Sequence, residues 1–117
     1  MLVDDSSTVL LTLTDVFKTA RYGVETAENG EDALDKLATG LKVDLLITDL
    51  NMPGMDGIEL IKMVRTLPKY KYIPILFLTT EAQQKKRLEA KAAGASGWIV
   101  KPVTGEDLLK TVKLVLH

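Results

Sequence analysis

The feature that most restricts this chain is an alternation. Stripes of apolar residues at helical spacing exchange with short, almost unbroken apolar runs. Val9, Leu10, Leu13, Val16, Phe17 and Ala20 predict an amphipathic helix over residues 8–20. Residues 24–28 read as a short strand. Asn29, with Asp32 three positions on, reads as the cap of a helix that turns Ala33, Leu34 and Leu37 inward. Residues 43–48 are apolar apart from Asp44, as in a strand buried on both faces of a parallel sheet. Asn51-Met52-Pro53-Gly54 and Asp56-Gly57 mark a loop, and a helix carrying Ile58, Ile61 and Val64 follows. Residues 73–78, with Pro74 near the start, form another buried strand. A polar helix over residues 82–93 is closed by Gly94. Residues 97–100 are the last strand. Thr104 with Asp107 resembles a capping box, ahead of a helix whose inner stripe is Leu108, Leu109, Val112 and Leu116.

Strand followed by helix, repeated, argues for an α/β domain with a parallel sheet covered by helices on both faces. Right-handed crossovers leave few topologies. The 117 residues suit one domain, 1–117, with no internal linker, repeat or low-complexity stretch. Cysteine is absent, so no disulfide framework or thiolate metal site is available. No apolar run reaches the roughly 20 residues of a membrane helix, and no secretory signal is visible, so a cytoplasmic protein without membrane contact is expected. The formal net charge is −1, which argues against a direct nucleic-acid binder. Lys85, Lys86, Arg87 and Lys91 form a local basic cluster, read as a solvated helix face in preference to a docking surface.

In an open parallel sheet, sites form beyond the carboxyl ends of the strands. The first strand ends at Asp4 and Asp5, the third at Asp49, the fourth at Thr79 and Thr80, and the fifth at Lys101. The second offers nothing reactive. Clustered carboxylates repel one another unless something compensates them. Lys101 is one such agent, and a hard divalent cation, Mg²⁺, is the other. The set matches phosphoryl transfer to a carboxylate, which needs an acceptor oxygen, charge neutralisation and fixed donors. Asp49, ending the central buried strand, is the best acceptor. Asp4 and Asp5 would hold the metal, Lys101 would pair with the acceptor, and Thr79 would donate to the phosphoryl group. Taken singly, each has a plainer role. Asp4 or Asp5 could cap the first helix with Ser6, Asp49 could form a turn, and Lys101 could be a surface lysine. Joint placement at the strand ends favours the functional reading.

The residues also carry a resemblance. Val3-Asp4-Asp5-Ser6-Ser7, Thr48-Asp49-Leu50-Asn51-Met52-Pro53-Gly54-Met55-Asp56-Gly57, Leu78-Thr79-Thr80-Glu81-Ala82 and Gly94-Ala95-Ser96-Gly97-Trp98-Ile99-Val100-Lys101-Pro102, in this order, resemble the receiver domains of two-component response regulators over nearly the whole length. Within that family the chain is similar to the stand-alone, CheY-like chemotaxis regulators. The resemblance implies a doubly wound (βα)5 flavodoxin-like three-layer sandwich with a five-stranded parallel sheet in the order 2-1-3-4-5. It implies that Asp49 accepts a phosphoryl group from a histidine kinase. Asp5 and Asp49 would bind Mg²⁺ directly with the backbone carbonyl of Asn51, Asp4 acting through water. Thr79 and Lys101 would contact the phosphoryl group, and the Lys101–Pro102 bond would be cis. Trp98 falls where the family places its switch aromatic, coupled to Thr79; its plainer reading is a partly buried core ring. Asn51 and Glu81 would tune the rate of self-dephosphorylation. The implied partners are the kinase, a flagellar motor switch protein and a phosphatase, acting on a monomer that is a signalling domain and not an enzyme in its own right.

Departures from the family pattern are expected to matter. The first strand, Met1-Leu2-Val3, is shorter than usual, which bears on its pairing and leaves open whether residues preceded it. Arg21-Tyr22-Gly23 replaces a glycine-then-aromatic order, Val103 stands where a larger aromatic is common, and Leu11 is a candidate exposed residue. His117, the only histidine, is read as a plain terminus or tag remnant and not as a phosphodonor. Rival readings exist. A flavodoxin-type cofactor protein could cradle phosphate with Ser6, Ser7 and Thr8, but Asp4 and Asp5 would repel it. An aspartate-based phosphatase of the dehalogenase-like class wants a second Asp two residues after its nucleophile, and neither Asp4 nor Asp49 has one. A degenerate scaffold usually lacks an acid or the lysine, and none is missing here. The chain could also be the receiver piece of a longer regulator with an output domain.

Overall fold

A computed structural model describes residues 1–116; His117 and its reading as a terminus or tag remnant lie outside the described residues. Five parallel strands form one sheet in the order β2-β1-β3-β4-β5. They are β1 (Leu2–Val3), β2 (Thr26–Ala27), β3 (Leu46–Thr48), β4 (Ile75–Thr79) and β5 (Gly97–Val100). Helices α1 (Ser7–Thr19), α2 (Gly30–Ala38), α3 (Gly57–Arg65), α4 (Gln84–Ala93) and α5 (Gly105–Val115) connect and cover them. Every residue of β3 and β4 is buried, as the apolar runs require of strands sandwiched between two helical layers. The core is therefore double. One cluster joins Val3, Leu46, Ile61, Val64, Ile75 and Phe77 on the face of α2–α4. The other joins Leu2, Phe17, Ile47, Leu78, Leu108 and Val112 beneath α1 and α5. No helix among the described residues is long and apolar enough to cross a membrane.

The sequence patterns locate the elements, and pairing sets their ends. β1 is only Leu2–Val3, and these are the register partners of Thr26–Ala27, so the strand expected over residues 24–28 shrinks to the length of its neighbour. Residues 43–45 also lie before β3, because pairing on the other side starts at Ile75, just after Pro74, whose carbonyl accepts from Leu46 N at 3.0 Å. The short β1 is nevertheless paired on both sides. The Met1 amine donates to Leu45 O at 2.7 Å. Burial lowers that amine's pKa to about 6, against a smaller opposing pull from Glu25 and Asp44. β4 runs one residue further than expected, to Thr79, which pairs with Val100. α4 begins at Gln84 instead of residue 82, and no side chain caps its start.

Helix ends follow local chemistry. Asn29, Asp56 and Thr104 accept from the backbone N–H three residues on, at 2.7, 2.8 and 3.0 Å. Ser6 caps α1, accepting from Val9 N at 3.3 Å. In α1 the predicted stripe is only partly realised. Phe17 is buried, Leu10 and Leu13 pack at the core margin, but Ala20 lies exposed past the helix end. Leu11 is 73 % exposed. Arg21, at φ 69°, takes the left-handed position after α1, with Tyr22 N bonded to Phe17 O at 2.9 Å. A hollow of about 270 Å³ lies beside Val103, lined by Thr8, Val9, Leu13 and Leu78 among others.

Between α3 and β4 the sequence reading missed a 3₁₀ turn at Pro68–Tyr70. Beside it, the Arg65 guanidinium meets only carbonyls. It donates to Gly94 O (3.2 and 2.7 Å), Tyr70 O (3.3 Å), Lys71 O (3.1 Å) and Ile73 O (2.7 Å). Burial lowers its pKa. This fork ties the end of α3 to the end of α4 and to the lead into β4.

Candidate functional site

The carboxyl ends of β1, β3, β4 and β5 meet at one rim. Asp4 follows β1 and is 5 % exposed. Its Oδ1 accepts from Ser6 N at 2.9 Å and its Oδ2 from Lys101 Nζ at 2.9 Å. The capping role suggested for the two acids is thus taken by Ser6, and both oxygens of Asp4 are engaged. Asp5 is exposed. Asp49 follows β3; its Oδ1 accepts from Leu50 N at 2.8 Å, and its Oδ2 lies 3.8 Å from Lys101 Nζ. Asp4, Asp5 and Asp49 each offer an oxygen within 4.8 Å of the others.

Lys101 was expected to pair with the acceptor; its closer partner is Asp4. Each acid has one oxygen turned back to its own chain, Asp4 toward Ser6 N and Asp49 toward Leu50 N, and the second oxygen of each faces the ammonium, with that of Asp4 the nearer. The lysine is anchored by its backbone, N to Thr79 O at 2.8 Å, and the next peptide, Lys101–Pro102, is cis. Three negative groups face one ammonium, leaving two charges unneutralised. A hard divalent cation with oxygen ligands fits that donor set, with exposed Asp5 and Asp49 best placed to bind it.

Thr79 is fully buried, and its Oγ1 accepts from Glu81 N at 3.2 Å. The hydroxyl proton remains to be donated. Glu81 Oε1 is buried without a hydrogen-bond partner. Trp98 is half-buried on β5; its indole N–H donates to Glu81 O at 3.0 Å and its ring packs on Phe77 at 5.3 Å. Asn51 lies exposed in the loop after Asp49. The structure therefore gathers Asp4, Asp5, Asp49 and Lys101 directly, sets Thr79 at the adjoining strand end, and links Trp98 to Thr79 through the backbone of Glu81.

In the sequence Gly57 reads as a loop mark and as the end of the second resembling stretch, with no structural role of its own. A Cβ there would lie 2.3 Å from Asp49 O and 2.6 Å from the Phe77 ring. The first residue of α3 thus packs directly on the backbone of Asp49, and Gly57 N bonds to Leu50 O at 2.8 Å. Its sequence signal was the Asp-Gly pair, legible as a helix start as much as a turn.

Comparison with known proteins identifies the family and matches the fold. The model of the response regulator receiver domain matches residues 1–113. Chemotaxis protein CheY1 of Helicobacter pylori is 38 % identical over 117 residues, covering 99 % of this chain and 94 % of that protein. Chemotaxis protein CheY of Pseudomonas aeruginosa is 35 % identical over 118 residues, covering 100 % and 94 %. Among solved structures, chemotaxis protein CheY4 of Vibrio cholerae superposes with a TM-score of 0.93 at 47 % identity, covering 98 % of this chain and 95 % of that one.

Proposed function

The chain belongs to the response regulator receiver family, and from that premise we propose that it takes a phosphoryl group from a histidine kinase onto Asp49, switches an output face and resets by hydrolysis. The observation that carries this reading is the meeting of three carboxylates and one ammonium at the ends of strands far apart in sequence.

The chemistry follows from the free groups. Asp49 Oδ1 is held by Leu50 N, which leaves Oδ2, on the Lys101 side, to attack phosphorus. The O–P bond forms as the P–N bond of the kinase phosphohistidine breaks, and the imidazole nitrogen keeps the electron pair. Lys101 moves its charge from Asp49 to a phosphoryl oxygen, while Asp4 keeps the amine in place. Thr79 donates its hydroxyl proton to another oxygen. Asp5, Asp49 and the Asn51 carbonyl would hold Mg²⁺, with Asp4 acting through water, and the bound ion would supply neutralisation of charge at the phosphoryl group. Hydrolysis transfers the phosphoryl group to water, releases inorganic phosphate and returns the carboxylate, and the resemblance assigns the tuning of that rate to Asn51 and Glu81. The phosphoryl group carries about 1.5–2 negative charges where the carboxylate carried one, and it adds new acceptor oxygens that bias a packed two-state element such as Trp98 and Thr79.

The relatives' names place them in chemotaxis. The same role is proposed here, in the cytoplasm, with a histidine kinase upstream and a flagellar motor switch protein and a phosphatase as further partners of a monomer. Incubation with radiolabelled acetyl phosphate and Mg²⁺ tests the centre of the reading. Label stable in neither strong acid nor base, and absent from Asp49→Asn, is expected. Equal labelling of that variant would move the acceptor elsewhere.

A further inference from the structure

Trp98 is the chain's sole tryptophan, and three contacts fix its ring. Phe77 packs on it, the Glu81 carbonyl accepts from its indole N–H, and the Arg87 guanidinium lies over it, 6.0 Å from the ring centroid. A hollow of about 240 Å³ adjoins it, lined by Arg87, Ala90, Lys91, Ser96 and Gly97 among others, so there is room for the ring to turn. What keeps it in place is thus the packing of Phe77, one hydrogen bond and one cation above its face. Among the described residues no carboxylate pairs with Arg87, whereas its neighbour Lys86 meets Glu89 at 3.5 Å. The guanidinium has the ring as its charge-complementary contact. Arg87 also sits on a helix with a light hold on the core. Ala90 is the only buried residue of α4, and no side chain caps its start.

We propose that Arg87 is a positioning residue for phosphoryl transfer, holding the Trp98 ring in the pose whose N–H binds the Glu81 carbonyl. This rests on the reading of Trp98 and Thr79 as a coupled switch. Glu81 is shared by both, since its carbonyl takes the indole proton and its N–H bonds to Thr79 Oγ1. Fixing the ring therefore fixes the residue that orients the Thr79 hydroxyl. The position of α4 and the aim of Thr79 become one equilibrium, with Arg87 as the contact between them.

The test uses Arg87→Met, which keeps a long flexible side chain without charge, and Arg87→Lys, which keeps the cation. Removing a cation from an exposed aromatic face shifts a two-pose equilibrium about two- to fivefold. Acrylamide quenching of Trp98 is expected to increase in Arg87→Met. The rate of acetyl phosphate labelling at saturation is expected to fall about two- to fivefold with KM unchanged, because Thr79 is misdirected and donor binding is not touched. Arg87→Lys is expected to recover most of both effects. The parent's fluorescence response to beryllofluoride with Mg²⁺ is the control for the underlying switch. A responding parent with an indistinguishable Arg87→Met overturns the role of Arg87 alone. So does slower labelling with unchanged quenching, or an Arg87→Lys no better than Met. A parent that does not respond overturns the switch and the proposal together.

Discussion

Replacing Arg65 with methionine isolates one guanidinium's worth. The aliphatic stem survives, so the packing of Arg65 Cγ and Cδ against Gly94 is largely kept. What is lost is the fork of bonds to Gly94, Tyr70, Lys71 and Ile73. The two contacts of 2.7 Å, to Gly94 O and Ile73 O, lie partly buried and are the strongest. Charge-assisted bonds contribute about 1.5–3 kcal/mol each, and the longer ones to half-exposed carbonyls much less. Against this stands the cost of burying a cation without a counter-charge, visible in the lowered pKa of Arg65. A net loss of about 2–4 kcal/mol follows. A domain of this size unfolds with an entropy of about 0.25 kcal/mol/K, so Tm should fall by roughly 8–16 °C. Urea unfolding followed by circular dichroism would show a lower midpoint at constant slope. Hydrogen exchange should rise first at the end of α4. Arg65→Lys should recover less than half, since one ammonium cannot span carbonyls on both sides. A loss below about 1 kcal/mol at unchanged slope would refute the view that this fork braces α4.

Three further outcomes are expected. Gly57→Ala places a methyl against Asp49 O and Phe77, so acetyl phosphate labelling should slow by about tenfold or more, and an unchanged rate would separate the α3 start from the proposed role of Asp49. Asp5→Ala should weaken Mg²⁺ binding, read by Trp98 fluorescence or calorimetry, far more than Glu89→Ala, which removes an acid on α4; equal affinities would take Asp5 out of the ligand set. The Met1 amine titrates near pH 6 when folded and near its ordinary 8.0 when unfolded. Between those values the unfolded chain binds the extra proton, so stability should rise with pH across that window and level off on either side, and acetylating the amine should flatten the profile.

The parts of this molecule that read plainly from sequence are those in which one residue type answers one physical demand. Buried two-sided strands announced β3 and β4, Asn29 and Thr104 announced helix starts, and each reactive side chain sat at the end of an apolar run. Strand lengths did not read so well, because a ladder is as long as its shorter partner, and residues 24–25 and 43–45 have strand composition but lie before the first ladder pairs at Leu2. Arg21 carried a hint, since it stands where a glycine was expected and takes φ 69°. Arg65 and Arg87 carried none. A long cation on a helix has no periodicity that distinguishes a surface lysine-like role from a fork on carbonyls or a lid on an indole. The preference of Lys101 for Asp4 was hidden for a similar reason, as spacing along the chain cannot rank two acids on adjacent strands.

The contact between Lys101 and Asp4 spans 97 residues of chain. The cluster is consequently complete only when segments near both ends of the chain are in place. A nascent polypeptide still missing its fifth strand would be inert toward a phosphodonor however much helix it had formed. The onset of labelling after dilution from denaturant would then time the closing of the whole sheet, where a spectroscopic probe of α1 or α5 would report only its own neighbourhood.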